Sequence, residues 1–314
     1  LTVRAIFLQS TLMAKKIIIL VLSLTPLFAR NTFLGQRGTF KTYSARPEQQ
    51  GILSLNLFHL EWNTQTPSSA RTDHYHFFRY HGGIGFAPLD FFEFSLFGDF
   101  TSAYVDRVDI PVDRENVGFL DCDNYGLSLK FGYPFYLARD STKFWAAGLQ
   151  TFVSLTSNKT WNIHEQVNQY IYYFTTGKIG FVPRAPELGF RGLFDYDLKL
   201  LAFHLNLGLQ SAGRLYIEQM PYAQGQVHRN PQLLFGASAE FVPTPYVIFI
   251  SELVGNFEIG QNSSNYLWFT PGVRFCTTPK YGVNFDFGCE IGLTEETPAW
   301  NFVFGLSVTI DVIP

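Results

Sequence analysis

The chain alternates. In segment after segment of about ten residues, apolar side chains take every second position and small or polar ones take the rest, which is the period of a β-strand whose two faces meet different surroundings. From Asn124 to Tyr133, the residues Tyr125, Leu127, Leu129, Phe131 and Tyr133 share one face, and Asn124, Gly126, Ser128, Lys130 and Gly132 share the other. Leu201, Phe203, Leu205, Leu207 and Leu209 oppose Ala202, His204, Asn206, Gly208 and Gln210 in the same way. Phe285 to Leu293 and Trp300 to Ile310 repeat the pattern. It predicts strands near 51–62, 75–87, 91–103, 123–133, 144–156, 187–196, 200–211, 231–242, 246–257, 266–276, 281–293 and 300–311.

The connections sort by length. Gaps after the second, sixth, eighth and tenth strands are short (88–90, 197–199, 243–245 and 277–280), and the fourth strand is followed by 134–143. Gaps after odd-numbered strands are longer (63–74, 104–122, 157–186, 212–230 and 258–265), with 294–299 the exception. Short turns at one end and long loops at the other mark an outer-membrane barrel, and an even strand count puts both termini on the periplasmic, short-turn side. The expected fold is therefore all-β: a closed, antiparallel, up-and-down transmembrane β-barrel of about twelve strands, within a range of about ten to fourteen.

Composition sharpens this choice. Aromatic residues make up 17% of the 314 and charged residues only 16%, yet no segment after residue 29 reaches the apolar length of a membrane helix. A soluble β-sandwich also alternates. It has no use for small residues on a solvated face, whereas here Gly83, Gly85, Gly126, Gly148, Gly208, Gly236, Gly272, Gly288 and Gly305 all fall on the polar phase. A crowded, curved barrel interior does use them. Aromatics such as Trp62, Tyr75, Tyr133, Trp145, Tyr246 and Trp300 sit near strand ends, where a bilayer has its interfaces. One strand is irregular: Leu53, Leu55 and Leu57 share a phase with His59 and Glu61. Charge facing lipid is costly, so a bulge near Leu57 and Phe58 is expected to turn His59 and Glu61 inward.

The start of the chain reads as an address. Lys15 and Lys16, the apolar run Ile17–Leu24 and the small residue Ala29 form a secretory signal peptide, with translation expected to begin at Met13. The expected organisation is 1–29 as upstream extension and cleaved signal, 30–50 as a periplasmic or barrel-mouth segment without a clear strand, and 51–314 as an outer-membrane barrel.

Two stretches carry a family resemblance. TPGVRF (270–275) followed by FDFGCEIGLTEETPAWNFVFGLSV (285–308), and RGTFKTYSA (37–45), resemble the last strands and the mature start of uncharacterised bacterial outer-membrane β-barrel proteins of the OmpA-type or porin-like kind. The resemblance implies a Gram-negative outer-membrane location and insertion by the barrel-assembly machinery. The last predicted strand runs close to Pro314, so the peptidoglycan-binding function that some similar proteins carry in a C-terminal domain is not expected here, and the ending differs from the Phe common in such barrels.

Chemistry is sparse. A net charge of -3 with no basic stripe gives no reason to expect nucleic acid. Cys122, Cys276 and Cys289 lack metal-ligand spacing and read as packing residues. No His-x-Ser pair suggests a barrel lipase, and His204 is read as part of a lumen hydrogen-bond network. No cofactor, metal site or enzymatic activity is expected. The remaining signal is inward charge. Arg79, Glu93, Asp99, Lys130, Arg191, Glu240, Glu252, Arg274, Asp286 and Glu290 join His204 on the lumen phase. They either interlock to fill a narrow structural barrel or line a passive channel for a small polar solute. A third reading is a surface-interaction barrel acting through its long loops, above all 157–186. Arg79 and Asp99 are expected to pair across the second and third strands, and outer-membrane lipid is the expected partner of the outer face.

Overall fold

The computed structural model describes residues 32, 36–67, 72–107, 114–116, 121–136, 143–156, 187–198, 200–211, 214–219, 223–228, 231–260, 265–278, 282–294, 297 and 300–312, with side chains at several strand ends outside that set. The expected signal peptide and the loop 157–186 lie outside the described residues. We number the barrel strands β1 (Ile52–Pro67), β2 (Thr72–Leu89), β3 (Phe92–Arg107), β4 (Asp121–Tyr136), β5 (Lys143–Thr156) and β6 (Glu187–Leu198). The second half comprises β7 (Leu201–Gln210), β8 (Gln232–Thr244), β9 (Val247–Glu258), β10 (Asn265–Cys276), β11 (Gly282–Gly292) and β12 (Trp300–Asp311).

Each strand pairs antiparallel with its sequence neighbours, and β1 pairs with β12 from Ile52↔Asp311 to Glu61↔Phe302, which closes the sheet. Closure is what permits β-structure in lipid, because every backbone N–H and C=O then finds a partner away from water. Three pieces of strand lie outside the barrel wall or extend it. Arg114–Asn116 pairs with the end of β3, and Arg214–Gln219 with Ala223–His228 forms a separate hairpin in the connection between β7 and β8. The β1–β2 connection shrinks to 68–71 because both strands run further than the alternation predicts.

The protein is inside out. Along β7, Leu201, Phe203, Leu205, Leu207 and Leu209 are exposed, while Ala202, His204 and Asn206 are buried. Elsewhere Phe285, Phe287, Phe302 and Phe304 face outward, and Lys130, Glu93, Arg274 and Asp286 are within 1% of complete burial. Such an outer surface suits hydrocarbon, not water. Rings gather toward both ends of the wall. Tyr133, Phe135 and Trp145 cluster near the short turns, with Phe135 stacked on Trp145 at 4.1 Å, and Trp300 packs on Phe302 at the opposite end. Leu205→Arg is therefore expected to cost about 2–4 kcal/mol of folding free energy in lipid vesicles, against little for Leu205→Phe. Equal stability of the two variants would refute the outward assignment of this phase.

β1 corrects one expectation. No bulge interrupts it: its pairing with both β2 and β12 is continuous through Leu57 and Phe58. Phe58 and Leu60 point inward and are buried, so His59 and Glu61 share the outer face with Leu53, Leu55 and Leu57. Two causes are visible. Phe58 has an apolar partner inside, the ring of Phe40 at 6.4 Å, and lies where a side chain at Gly305 would otherwise stand. Outside, His59 packs against Phe78 and Tyr80 at 5.7 and 4.9 Å. A strand tilted by roughly 40° climbs about 23 Å over the nine steps from Ile52 to Glu61, close to the edge of an apolar band of about 25 Å.

Candidate functional site

The bore is occupied by the chain itself. Residues 36–50, for which the sequence predicts a periplasmic or barrel-mouth position, lie within the half of the barrel nearer the short turns. Gln36, Thr39, Phe40, Thr42 and Ala45 are completely buried. Their core is a tight loop. Ser44 N donates to Arg37 O at 3.0 Å, Thr39 N donates to Thr42 O at 2.9 Å, and Gly38 bridges Tyr43. Gly38 has φ 156°, and a Cβ there would sit 2.3 Å from Thr42 O, so only glycine fits.

The wall holds this plug through carboxylates and amides that accept its backbone donors. Oε1 of Glu252 on β9 accepts from Thr39 Oγ1 (2.6 Å), Lys41 N (2.9 Å) and Thr42 N (2.6 Å). Glu93 on β3 accepts from Arg37 N at 3.1 Å, while Lys130 on β4 ion-pairs with Glu93 at 2.6 Å and donates to Arg37 O at 3.3 Å. Asn206 on β7 accepts from Tyr43 N at 2.7 Å and donates to Tyr43 O at 2.8 Å, as a strand partner would. Asp195 on β6 accepts from Ser44 Oγ at 2.5 Å and is 2.7 Å from Nδ1 of His204. Arg274 on β10 pairs with Asp286 on β11 and donates to Gly38 O at 3.3 Å. Charge-assisted bonds of this kind are the stronger ones, and burial raises the stakes of each.

Lumen glycines make the room. A Cβ on Gly132 would lie 1.7 Å from Ala45 O, and one on Gly148 would lie 2.9 Å from the same atom. Gly272 and Gly288 accommodate the ring of Phe40, which a Cβ on Gly272 would meet at 2.6 Å. Cations of the plug and wall lie over rings: Arg191 over Tyr43 at 4.9 Å, Arg46 over Phe144 at 4.5 Å and Lys41 over Trp268 at 4.9 Å.

The predicted lumen residues thus fall into place unevenly. Glu93, Lys130, Arg191, His204, Glu252, Arg274 and Glu290 touch the plug or hold a group that does. Glu240 is buried, its Oε1 3.8 Å from Nε2 of His204. Arg79 and Asp99 take the inward phase, but the register sets Arg79 opposite Thr101 and Asp99 opposite His81, whose Nδ1 lies 2.5 Å from Asp99 Oδ1. The β2–β3 turn falls at 90–91, later along the chain than the predicted 88–90, so Asp99 is a diagonal and not a direct cross-strand neighbour of Arg79. Asp195 was legible as lumen, since it shares a phase with Arg191, yet the reading by charge passed over it. Gln150 was equally in phase, and its amide donates to Gln36 Oε1 at 2.6 Å. Cys276 is buried and Cys289 half-buried, neither in a disulfide; the Cys122 side chain lies outside the described residues.

No protein-family model and no curated protein matches the chain. Among solved structures it superposes on an outer-membrane channel from Pseudomonas putida F1 with a TM-score of 0.52 and 8% identity, over 85% of this chain and 98% of that one. It is also similar to the β domain of the Bordetella autotransporter Brka (TM-score 0.44, 10% identity, 82% of this chain and 99% of that one). The translocator domain of the autotransporter NalP from Neisseria meningitidis matches at a TM-score of 0.40 and 8% identity, over 83% and 88% of the two chains. At these identities the likeness concerns fold alone. By its closed antiparallel wall, its apolar outer face and this likeness, the chain has the fold of the outer-membrane β-barrels.

Proposed function

We propose that the protein is a non-enzymatic outer-membrane barrel that works as a narrow channel, held closed by its own N-terminal segment. The observation that carries this reading is the mode of attachment. The plug forms no β-ladder with the wall among the described residues; it is held by scattered side-chain bonds, three of them at Glu252. A segment held in this way can leave without breaking the barrel. The wall ion pairs Glu93–Lys130 and Arg274–Asp286 join neighbouring strands, so they line the bore and do not cross it. A twelve-stranded barrel encloses more room than the eight strands that side chains alone can fill. Small polar solutes fit such a lumen once the plug is withdrawn.

The test uses the full chain in a planar bilayer. Wild type is expected to stay mostly closed. Gly132→Leu places a side chain where Ala45 O now lies, and is expected to give long openings together with tryptic cleavage after Arg37 or Lys41. Circular dichroism checks that the barrel has formed. Cleavage without current would reject the channel and leave a structural barrel.

A further inference from the structure

One contact of the plug differs from the rest. Lys41 sends its ammonium group to the wall, where Nζ lies 2.5 Å from Glu290 Oε1 and 4.9 Å from the centroid of the Trp268 ring. Glu290 is almost fully buried, and its other oxygen accepts from Asn301 Nδ2 at 2.9 Å. Trp268 is in turn stacked on Tyr266, 5.7 Å away and nearly parallel. A carboxylate fixed by an amide, beside the face of a fixed indole, is how proteins bind an organic ammonium ion.

The position matters as much as the chemistry. Trp268 pairs with Gly292 at the end of β11, and Glu290 with Asn301 near the start of β12, so both stand toward the long-loop side of the plug. The Lys41 side chain keeps 24% of its exposure although its neighbours Phe40 and Thr42 are fully buried. The Lys41 ammonium group is therefore the end of the plug that keeps access from this side. The plug bears Arg37, Lys41 and Arg46 against Glu48, and the wall facing it presents Glu93, Asp195, Glu252 and Glu290. Oε2 of Glu252 is buried with no hydrogen-bond partner.

We propose that Glu290 and Trp268 form a binding site for primary organic ammonium ions, in which Lys41 is a tethered occupant. A soluble amine entering from the long-loop side competes with Lys41 and loosens the tip of the plug. This rests on the plug being displaceable, as proposed above, and it names the class of solute that displaces it.

The probe is n-butylammonium, which reproduces the lysine side chain beyond its Cα, with n-butanol as the uncharged control. Binding is measured by calorimetry on the full chain in detergent micelles. Lys41→Ala, which vacates the site, is expected to bind butylammonium more tightly than wild type does and to ignore butanol. Adding Glu290→Gln should weaken that binding about tenfold or more, and adding Trp268→Leu should weaken it severalfold. In wild type, butylammonium should raise chymotryptic cleavage after Phe40 and Tyr43. Equal binding by Lys41→Ala and Lys41→Ala/Glu290→Gln would overturn the site, whatever current Gly132→Leu carries. Equal binding by wild type and Lys41→Ala would overturn the competition. If the site binds as expected while Gly132→Leu stays silent, the ammonium site stands and the channel reading falls.

Discussion

Arg274→Met is expected to cost the folded barrel about 3–5 kcal/mol, the penalty for removing one partner of a buried ion pair and leaving the other charged in low dielectric. Arg274 and Asp286 are both fully buried, on adjacent strands that the register places opposite each other. Methionine keeps much of the volume but leaves Asp286 without a cation and Gly38 O without its donor. The double variant Arg274→Met/Asp286→Leu removes the stranded charge and should recover most of the loss, since replacing a buried pair by apolar residues is often close to neutral. Reversible unfolding by urea from lipid vesicles gives both numbers. A loss below about 1 kcal/mol for the single variant would mean that the pair is hydrated, as surface pairs are, and that this half of the bore is wet.

Glu252→Leu should have the largest effect on the plug and little on the wall. One carboxylate oxygen takes three donors from the loop 39–42. Hydrogen bonds to a charged group contribute about 1.5–3 kcal/mol each, so even partial loss amounts to about 3 kcal/mol or more. At about 1.4 kcal/mol per tenfold, the ratio of withdrawn to seated plug should rise by about a hundredfold or more. Two readouts follow it: the rate of tryptic cleavage after Arg37 and Lys41, and the open probability of single barrels. Glu252 faces inward on β9, between exposed Ser251 and half-buried Leu253 on the lipid phase, so leucine there leaves the β-ladder with β8 and β10 intact. Unchanged cleavage would mean that the plug is held mainly elsewhere, by Asp195 or Glu93. Glu252→Gln retains an acceptor and should fall between wild type and leucine.

Much of this architecture could be read directly from the amino-acid order. Period two is a local property, and a strand with lipid on one side and a crowded lumen on the other writes it into every second residue. That is why 300–311 was found to the residue and β4 to within three at each end. It is also why Glu93, Lys130, Arg274 and Asp286 were assigned to the inside before any partner was known. The same rule misled at β1, where it was assumed that an inward face must be polar. Phe58 and Leu60 point inward because Phe40 gives them an apolar neighbour there, and Phe40 lies eighteen positions upstream in a stretch without periodicity.

Amino-acid order alone specifies most of the wall: its strands, their faces apart from the second half of β1, and which charges enter the lumen. Tertiary structure alone decided what those residues hold. The loop 37–44 closes on itself, and its bonds to the wall come from far away in sequence: Thr42 meets Glu252 from 210 positions away, Tyr43 meets Asn206 from 163, and Gly38 meets Arg274 from 236. A strand declares its surroundings by alternation because each of its neighbours repeats every second residue. A plug bonds to a few residues on each of many strands without a repeat, and those bonds exist only after closure has brought β3, β6, β7, β9 and β10 around a common bore.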